Sequence, residues 1–258
     1  LKGYEARMDI RNPRPDETSK IYDLWQACFN DPKPFADYLF GKLYNHSNTI
    51  CVFEGERLLS ALQIYYYTAI FKGKRIKAAY IAGVSTYPKE RNKGYCNILM
   101  NEAEDRLREE EIDIITLIPF KFSFYEKFGY RCVSYLFYYN VKSGTQNNYK
   151  GTPSGGRDNT EIYSNFVKQF DFTFERDNQS FSEIYEDISV SGGKMYNTDG
   201  GYMYIYPFKK NIYIPEIVYE NEETLFSMLS YINDRGYDFT IRSGINLLPY
   251  FSETDIKT

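Results

Sequence analysis

Residues 84–100 read VSTYPKERNKGYCNILM, and this stretch decides the fold. It opens with a β-branched run, Val84-Ser85-Thr86, which Pro88 stops. Arg91-Asn92-Lys93-Gly94 follow, and then Ile98, Leu99 and Met100 fall at helical spacing. A strand hands over to a helix through a loop that holds two basic residues and a glycine. The first N–H groups of a helix are unpaired and carry roughly half a positive charge. A loop turning tightly onto such a start makes a socket for phosphate. Gly94 lets the backbone approach an oxygen closely, and Arg91 and Lys93 add side-chain charge. A pyrophosphate is the guest that suits this arrangement. On the tetrapeptide alone, a solvated basic loop is an equal explanation; the strand before it favours the socket. Neither the Walker A Lys-Ser/Thr pair nor the GxGxxG dinucleotide fingerprint is present.

Working outward, residues 17–30 place Ile21, Leu24, Trp25, Cys28 and Phe29 on one helical stripe, ended by Asp31-Pro32-Lys33-Pro34. A second short helix is expected over 35–45. Residues 49–54, 58–71 and 76–87 are rich in β-branched and aromatic residues, with turns at Glu54-Gly55-Glu56 and Lys72-Gly73-Lys74. Past the junction, 95–110 is a helix with Ile98, Leu99, Ala103 and Leu107 inward. Residues 112–118 (IDIITLI) predict a strand buried on both faces, 122–128 a helix closed by Gly129, and 130–141 another strand. The pattern predicts an α/β (α+β) domain over 1–141 with a mixed, mostly antiparallel central sheet and flanking helices. Residues 142–156 are rich in Gly, Ser, Asn and Thr and read as a linker. From 157 to 258 the order of helices and strands partly starts again, without the basic glycine junction. Pro215, inside the run IYIPEIVY, predicts an edge strand or a bulge there.

Composition narrows the classes. The chain has 258 residues, 43% hydrophobic and 26% charged, enough for one large domain or two ordinary ones. A net charge of −4 argues against non-specific nucleic-acid binding. Cys28, Cys51, Cys96 and Cys132 lie far apart and form no CxxC pair, so no zinc or other metal site is expected, and the thiols read as free in a reducing, cytoplasmic setting. No apolar run reaches the ~18 residues of a membrane span, and the N-terminus shows no signal-peptide core. The chain begins with Leu rather than Met, which is compatible with missing starting residues.

The run V-S-T-Y-P-x-x-R-x-K-G-Y resembles motif A of the GNAT superfamily of acyl-CoA-dependent N-acetyltransferases, whose pattern is [Arg/Gln]-x-x-Gly-x-[Gly/Ala] after a strand. Arg91-Asn92-Lys93-Gly94-Tyr95 fits it, and Cys96 stands where Gly or Ala is usual. Phe124-Tyr125-Glu126-Lys127-Phe128-Gly129-Tyr130 resembles the F-Y-x-x-x-G-[F/Y] ending of these domains. The tandem arrangement is similar to the enhanced intracellular survival subgroup, which joins an active GNAT domain to a degenerate one and then adds a third, sterol-carrier-like domain; this sequence is expected to end before that third domain.

The resemblance implies acetyl-CoA as co-substrate. It places the main chain of Val84, Ser85 and Thr86 along the thioester and pantetheine. Arg91, Asn92, Lys93, Gly94, Tyr95, Cys96 and Asn97 would wrap the pyrophosphate, with Phe120 and Lys121 along the cofactor. Tyr125 would be the general acid that protonates the leaving thiolate. No general base is named. An alkyl amine of pKa about 10.4 must lose a proton before attack, and the resemblance places the subgroup's base in that third domain, so it carries over to no residue of this sequence. His46, the sole histidine, reads as a loop residue. Two functions are carried forward. One is transfer of acetyl to a primary amine of a small molecule or protein by direct attack in a ternary complex, with the second half shaping acceptor choice. The other is a catalytically inactive acyl-CoA-binding or scaffold protein. Neither a nucleic-acid nor a membrane partner is expected; a homo-oligomer is compatible with the sequence.

Overall fold

A computed structural model describes residues 8–143, 158–208 and 211–247, and the backbone of 256–257. The expected linker lies, from residue 144 on, outside these. The chain divides into two compact units, 1–131 and 132–258.

In the first unit, β1 (Met8–Arg11) pairs antiparallel with β2 (Thr49–Glu54), which is followed by β3 (Arg57–Phe71) and β4 (Lys74–Thr86). Two tight turns make this meander. Gly55 takes φ 60, and Lys72-Gly73 take φ 47 and 78. In the second turn, positive φ at both central residues matches the right-handed twist of the flanking strands. Helix α1 (Thr18–Cys28) and the short α2 (Lys33–Tyr38), which runs into a π-type turn at Leu39–Leu43, precede β2. Helix α3 (Tyr95–Glu109) crosses over from β4 to β5 (Ile114–Thr116), which pairs parallel to β4. The order across the sheet is β1-β2-β3-β4-β5. Helix α4 (Phe122–Glu126) follows.

Both faces of this sheet are covered. Leu99, Met100, Ala103 and Leu107 of α3 pack on Ile50, Val52, Leu62 and Ile81. On the opposite face, Ile21 and Leu24 of α1 pack on Cys51, Phe53, Leu58 and Ala61. Successive residues of β2 thus enter different cores, which is why TICVFE lacks polar alternation.

The second unit holds β6 (Phe137–Val141), α5 (Asn159–Phe166), β7 (Phe172–Phe174), α6 (Asn178–Val190), β8 (Lys194–Thr198), β9 (Gly201–Phe208), β10 (Asn211–Tyr219), α7 (Glu222–Asn233), β11 (Asp238–Ser243) and β12 (Ile256–Lys257). Its sheet order is β12-β6-β11-β10-β9-β8. Strands β8, β9 and β10 form an antiparallel meander, α7 crosses over, and β11 returns parallel to β10. This repeats the connectivity of β2-β3-β4-α3-β5. The Arg176 guanidinium, stacked 4.3 Å over the Tyr163 ring, grips Glu216 of β10 through two bonds of 2.7 and 2.8 Å.

Two local expectations change, and a third narrows to one of its alternatives. The strand expected over 130–141 forms only at 137–141, and its partners β11 and β12 lie in the second sheet. The strand expected to be buried over 112–118 is short, half-buried and at the edge of its sheet; Ile118 is 71% exposed. Of the two readings of Pro215, edge or bulge, the bulge holds: β10 is paired on both sides, and its register with β9 shifts between Tyr213 and Glu216. A proline offers no N–H to a ladder, and the bulge removes the need for one.

Candidate active site

The site starts from an irregularity in β4. Its ladder with β3 pairs Ser85 with Ala61, then jumps to Ala82 with Gln63. Gly83 and Val84 therefore oppose Leu62 alone, which is a β-bulge. Gly83 takes φ 60, and a Cβ there would lie 2.5 Å from Cζ3 of Trp25. Only glycine satisfies both the dihedral and the contact.

Two residues ahead of the bulge, after Tyr80, β4 and β5 part. Their pairing covers Ala78↔Ile114, Ala79↔Ile115 and Tyr80↔Thr116, yet β4 continues to Thr86. From Ile81 to Thr86 no strand among the described residues pairs with the β5 side of β4. This explains the short β5: its neighbour has left. The Tyr87 N–H donates to the Leu59 carbonyl (3.1 Å) and so faces β3. Strand alternation then turns the Thr86 amide to the open side, and Val84 lies in the bulge itself. Side chains hold the other side in place. The Ser60 hydroxyl donates to the Ser85 carbonyl at 2.6 Å and lies 2.7 Å from the Thr86 hydroxyl.

A turn at Pro88–Glu90 leads to two left-handed residues, Asn92 (φ 66) and Gly94 (φ 87), the latter being the N-cap of α3. No side chain caps this helix start. The amides of Asn92, Gly94, Tyr95 and Cys96 meet no acceptor among the described residues, whereas the Asn97 amide donates to the Gly94 carbonyl at 2.9 Å. The matching helix start in the second unit differs. Asn221 caps α7 by accepting from the Thr224 amide (2.9 Å), and Glu222 and Glu223 fill its first turn. That end is self-satisfied and acidic, so an anion has no place there.

The two basic residues of the loop are engaged. Lys93 Nζ donates to Glu90 (2.7 Å), which also accepts from Arg57 (2.6 Å). Bonds to Lys93 and Arg57 hold the Glu90 carboxyl below the usual carboxylate range. Arg91 Nε donates to the Thr86 carbonyl at 3.3 Å. Main-chain N–H groups are thus the principal free donors of the loop.

Tyr125 is brought to the same place. Its ring is buried, 5.1 Å from Phe124 and 5.8 Å from Phe120, centroid to centroid. Its hydroxyl has no partner among the described residues and reaches solvent. Burial of the ring, reinforced by the neighbouring Cys96 thiol, pushes the phenol up to about 12. Burial likewise pushes the Cys96 thiol up. Lys127 ties α4 to the start of α3 by donating to the Asn97 side chain (2.7 Å), with its ammonium 4.3 Å from the Phe124 ring. Phe120, 77% exposed, and Lys121, the exposed N-cap residue of α4, lie on the loop after β5. His46 sits in a turn at 46–48, where its carbonyl accepts from Asn12. Sequence reasoning passed over Gly83 and its contact with Trp25. The signal was a glycine inside the β-branched run IAGVST.

A mixed sheet opened between two parallel strands, with an uncapped helix start at the end of the opening, is the architecture of acyl-CoA acyltransferases. Residues 9–133 match the family model described as acetyltransferase (GNAT) domain, and this part of the chain is a GNAT acetyltransferase domain. No curated protein matches the sequence. Among solved structures, a conserved Enterococcus faecalis protein of unknown function, described as a probable N-acyltransferase, aligns over 93% of this chain and 66% of its own, with 20% identity and a TM-score of 0.76. A GCN5-related N-acetyltransferase from Anabaena variabilis aligns over 98% and 71%, with 16% identity and a TM-score of 0.78. Eis1 from Mycobacterium abscessus aligns over 96% and 69%, with 13% identity and a TM-score of 0.70. These likenesses are likenesses of fold, and the chain spans about two thirds of the length of each structure. Among the described residues no helix is long and apolar enough to cross a membrane, and no cluster of His, Cys, Asp and Glu could hold a metal ion.

Proposed function

We propose that the first unit transfers an acetyl group from acetyl-CoA to a primary amine of a small molecule or protein, by direct attack in a ternary complex. One observation carries this reading: the open side of β4 at Ile81–Thr86 and the uncapped start of α3 follow each other in the chain. An elongated ligand with a thioester at one end and a diphosphate further along suits that sequence of donors. The amides of Val84 and Thr86 face the thioester end, and those of Asn92, Gly94, Tyr95 and Cys96 face the diphosphate. Charge-assisted bonds of the second kind are stronger than neutral ones.

The amine nitrogen attacks the thioester carbonyl, the C–N bond forms, and the C–S bond breaks. A preorganised donor at the developing oxyanion is worth about 3 kcal/mol. Tyr125 stands at the sulfur. With its phenol near 12, it is protonated throughout the neutral range. Complete transfer of its proton to a thiolate of pKa about 8.5 would run uphill by roughly 5 kcal/mol. The Tyr125 hydroxyl therefore acts as donor to the departing sulfur, and the proton that ends there is supplied by the nitrogen as it loses its charge. The repeated connectivity and self-capped α7 support reading the second unit as a degenerate GNAT-like domain without a cofactor socket.

Calorimetry with acetyl-CoA and thiol release on an amine panel test the proposal, on wild type and Tyr125→Phe. The variant retains binding and loses about 10²-fold in turnover. Wild type that fails to bind acetyl-CoA refutes the assignment. Binding without turnover on any amine supports an inactive acyl-CoA-binding protein instead.

A further inference from the structure

We propose that Trp25 is a positioning residue for acyl transfer: its indole props the Gly83 bulge and so sets where the Val84 and Thr86 amides stand. This rests on the reading of the site given above.

The ring is held from several directions. Its N–H donates to Asp31 Oδ2 at 3.0 Å. The Phe29 ring lies 4.4 Å away, centroid to centroid, and Phe40 meets it edge-on at 5.9 Å. Ala36 and Leu39 close the cluster, and Trp25 is left 9% exposed. Such a ring has no space into which to withdraw. Its remaining face is against Gly83, where a Cβ would stand 2.5, 3.3 and 3.5 Å from three ring atoms.

One turn further along α1, the Cys28 thiol donates to the Thr86 carbonyl at 3.3 Å. Residues three apart share a helix face. The same face of α1 therefore touches the open stretch of β4 at both ends, at Gly83 and at Thr86, with Val84 between. Oxyanion donors act only when held at hydrogen-bond distance from where the charge develops, so a shift of the bulge translates into lost rate. Asp31 lies in the connection between α1 and α2. Movement of that connection reaches the bulge through the indole.

The protein offers its own probe, because Trp25 is its sole tryptophan. The full chain is titrated with acetyl-CoA while tryptophan emission and, separately, calorimetric binding are followed. Turnover is measured with the best amine of a panel. Filling of the opening shifts the Trp25 emission. Asp31→Ala leaves the acetyl-CoA Kd near wild type and lowers kcat between about tenfold and a hundredfold, the scale of a donor misplaced by about an ångström. Asp31→Asn, whose amide oxygen still accepts the indole N–H, restores kcat. Trp25→Phe follows Asp31→Ala; should it fail to fold, the two Asp31 variants decide. Calorimetric binding with unchanged emission, or an Asp31→Ala protein that loses only thermal stability at full kcat, overturns the role of Trp25 and leaves the acyltransfer reading intact. Absence of calorimetric binding overturns both.

Discussion

Replacing Gly83 by alanine tests the geometry on which the site depends. Two independent costs are expected. Alanine at φ 60 carries the left-handed penalty of an L-residue, about 1–2 kcal/mol. Its Cβ would also stand 2.5 Å from Trp25 Cζ3. Comfortable carbon contacts begin about an ångström further out, near 3.5 Å. The ring is enclosed and cannot yield, so overpacking adds about 1–3 kcal/mol. The sum is about 2–5 kcal/mol, a large share of the stability of a domain this size. Urea unfolding read by Trp25 emission reports the first unit alone, since the second has no tryptophan. The two costs separate in a Trp25→Leu background followed by circular dichroism. There the clash is relieved, and Gly83→Ala costs only the dihedral penalty of about 1–2 kcal/mol. A Gly83→Ala protein within about 0.5 kcal/mol of wild type refutes the bulge geometry. An equal cost in both backgrounds refutes the contact with Trp25.

Two further outcomes are expected. Glu17, buried and accepting from Arg11 at 2.7 Å, the Arg14 amide at 2.8 Å and Lys20 at 3.3 Å, is held down to about 2, chiefly by its bonds to Arg11. A carboxyl lowered by folding stabilises above its unfolded value near 4.5 and loses that contribution as pH falls toward 2. Glu17→Gln should therefore cost at most about 3 kcal/mol at pH 7, less whatever solvent screening of the partly exposed arginines removes, and almost nothing near pH 2. A difference in urea midpoint that stays flat between those pH values contradicts this. Gly94→Ala meets open space, with φ 87 as its only steric cost, so stability falls by about 1–2 kcal/mol. The methyl group stands where the backbone must approach phosphate, and acetyl-CoA binding measured by calorimetry should weaken by about tenfold or more. Unaltered affinity would remove Gly94 from the site.

The junction was legible because its signals are local. β-Branched residues, a proline, a glycine and a helical stripe stand within one short run, and α3 begins at Tyr95 as read. The meander was legible for the same reason, since Gly55 and Lys72-Gly73 announce its turns. What escaped was set by distant contacts. Strand β1 is short and largely exposed, with no periodicity of its own; it exists because β2 offers an edge. Residues 137–141 look like any strand, and the choice of the second sheet depends on β11, about a hundred residues later in sequence, which no local pattern reveals. In the site, the free main-chain donors follow from the glycine and the missing cap. The pairing of Glu90 with Lys93 and Arg57 does not, because Arg57 reaches the loop only after the sheet has formed. Trp25 looked like one more core residue of an amphipathic helix, and it became more than that only once Gly83 was found beneath it.

A main chain left without a neighbouring strand is also how sheets recruit foreign chains and aggregate. The exposed margin of β4 carries the safeguards that blunt such recruitment. It is brief, it is bent by a bulge, Pro88 terminates it, and Lys89, Arg91 and Lys93 surround its exit with positive charge. The kink that, in the proposed function, presents amides to acetyl-CoA also makes this margin a poor template for another protein's backbone, so one deformation of the strand would serve both ends.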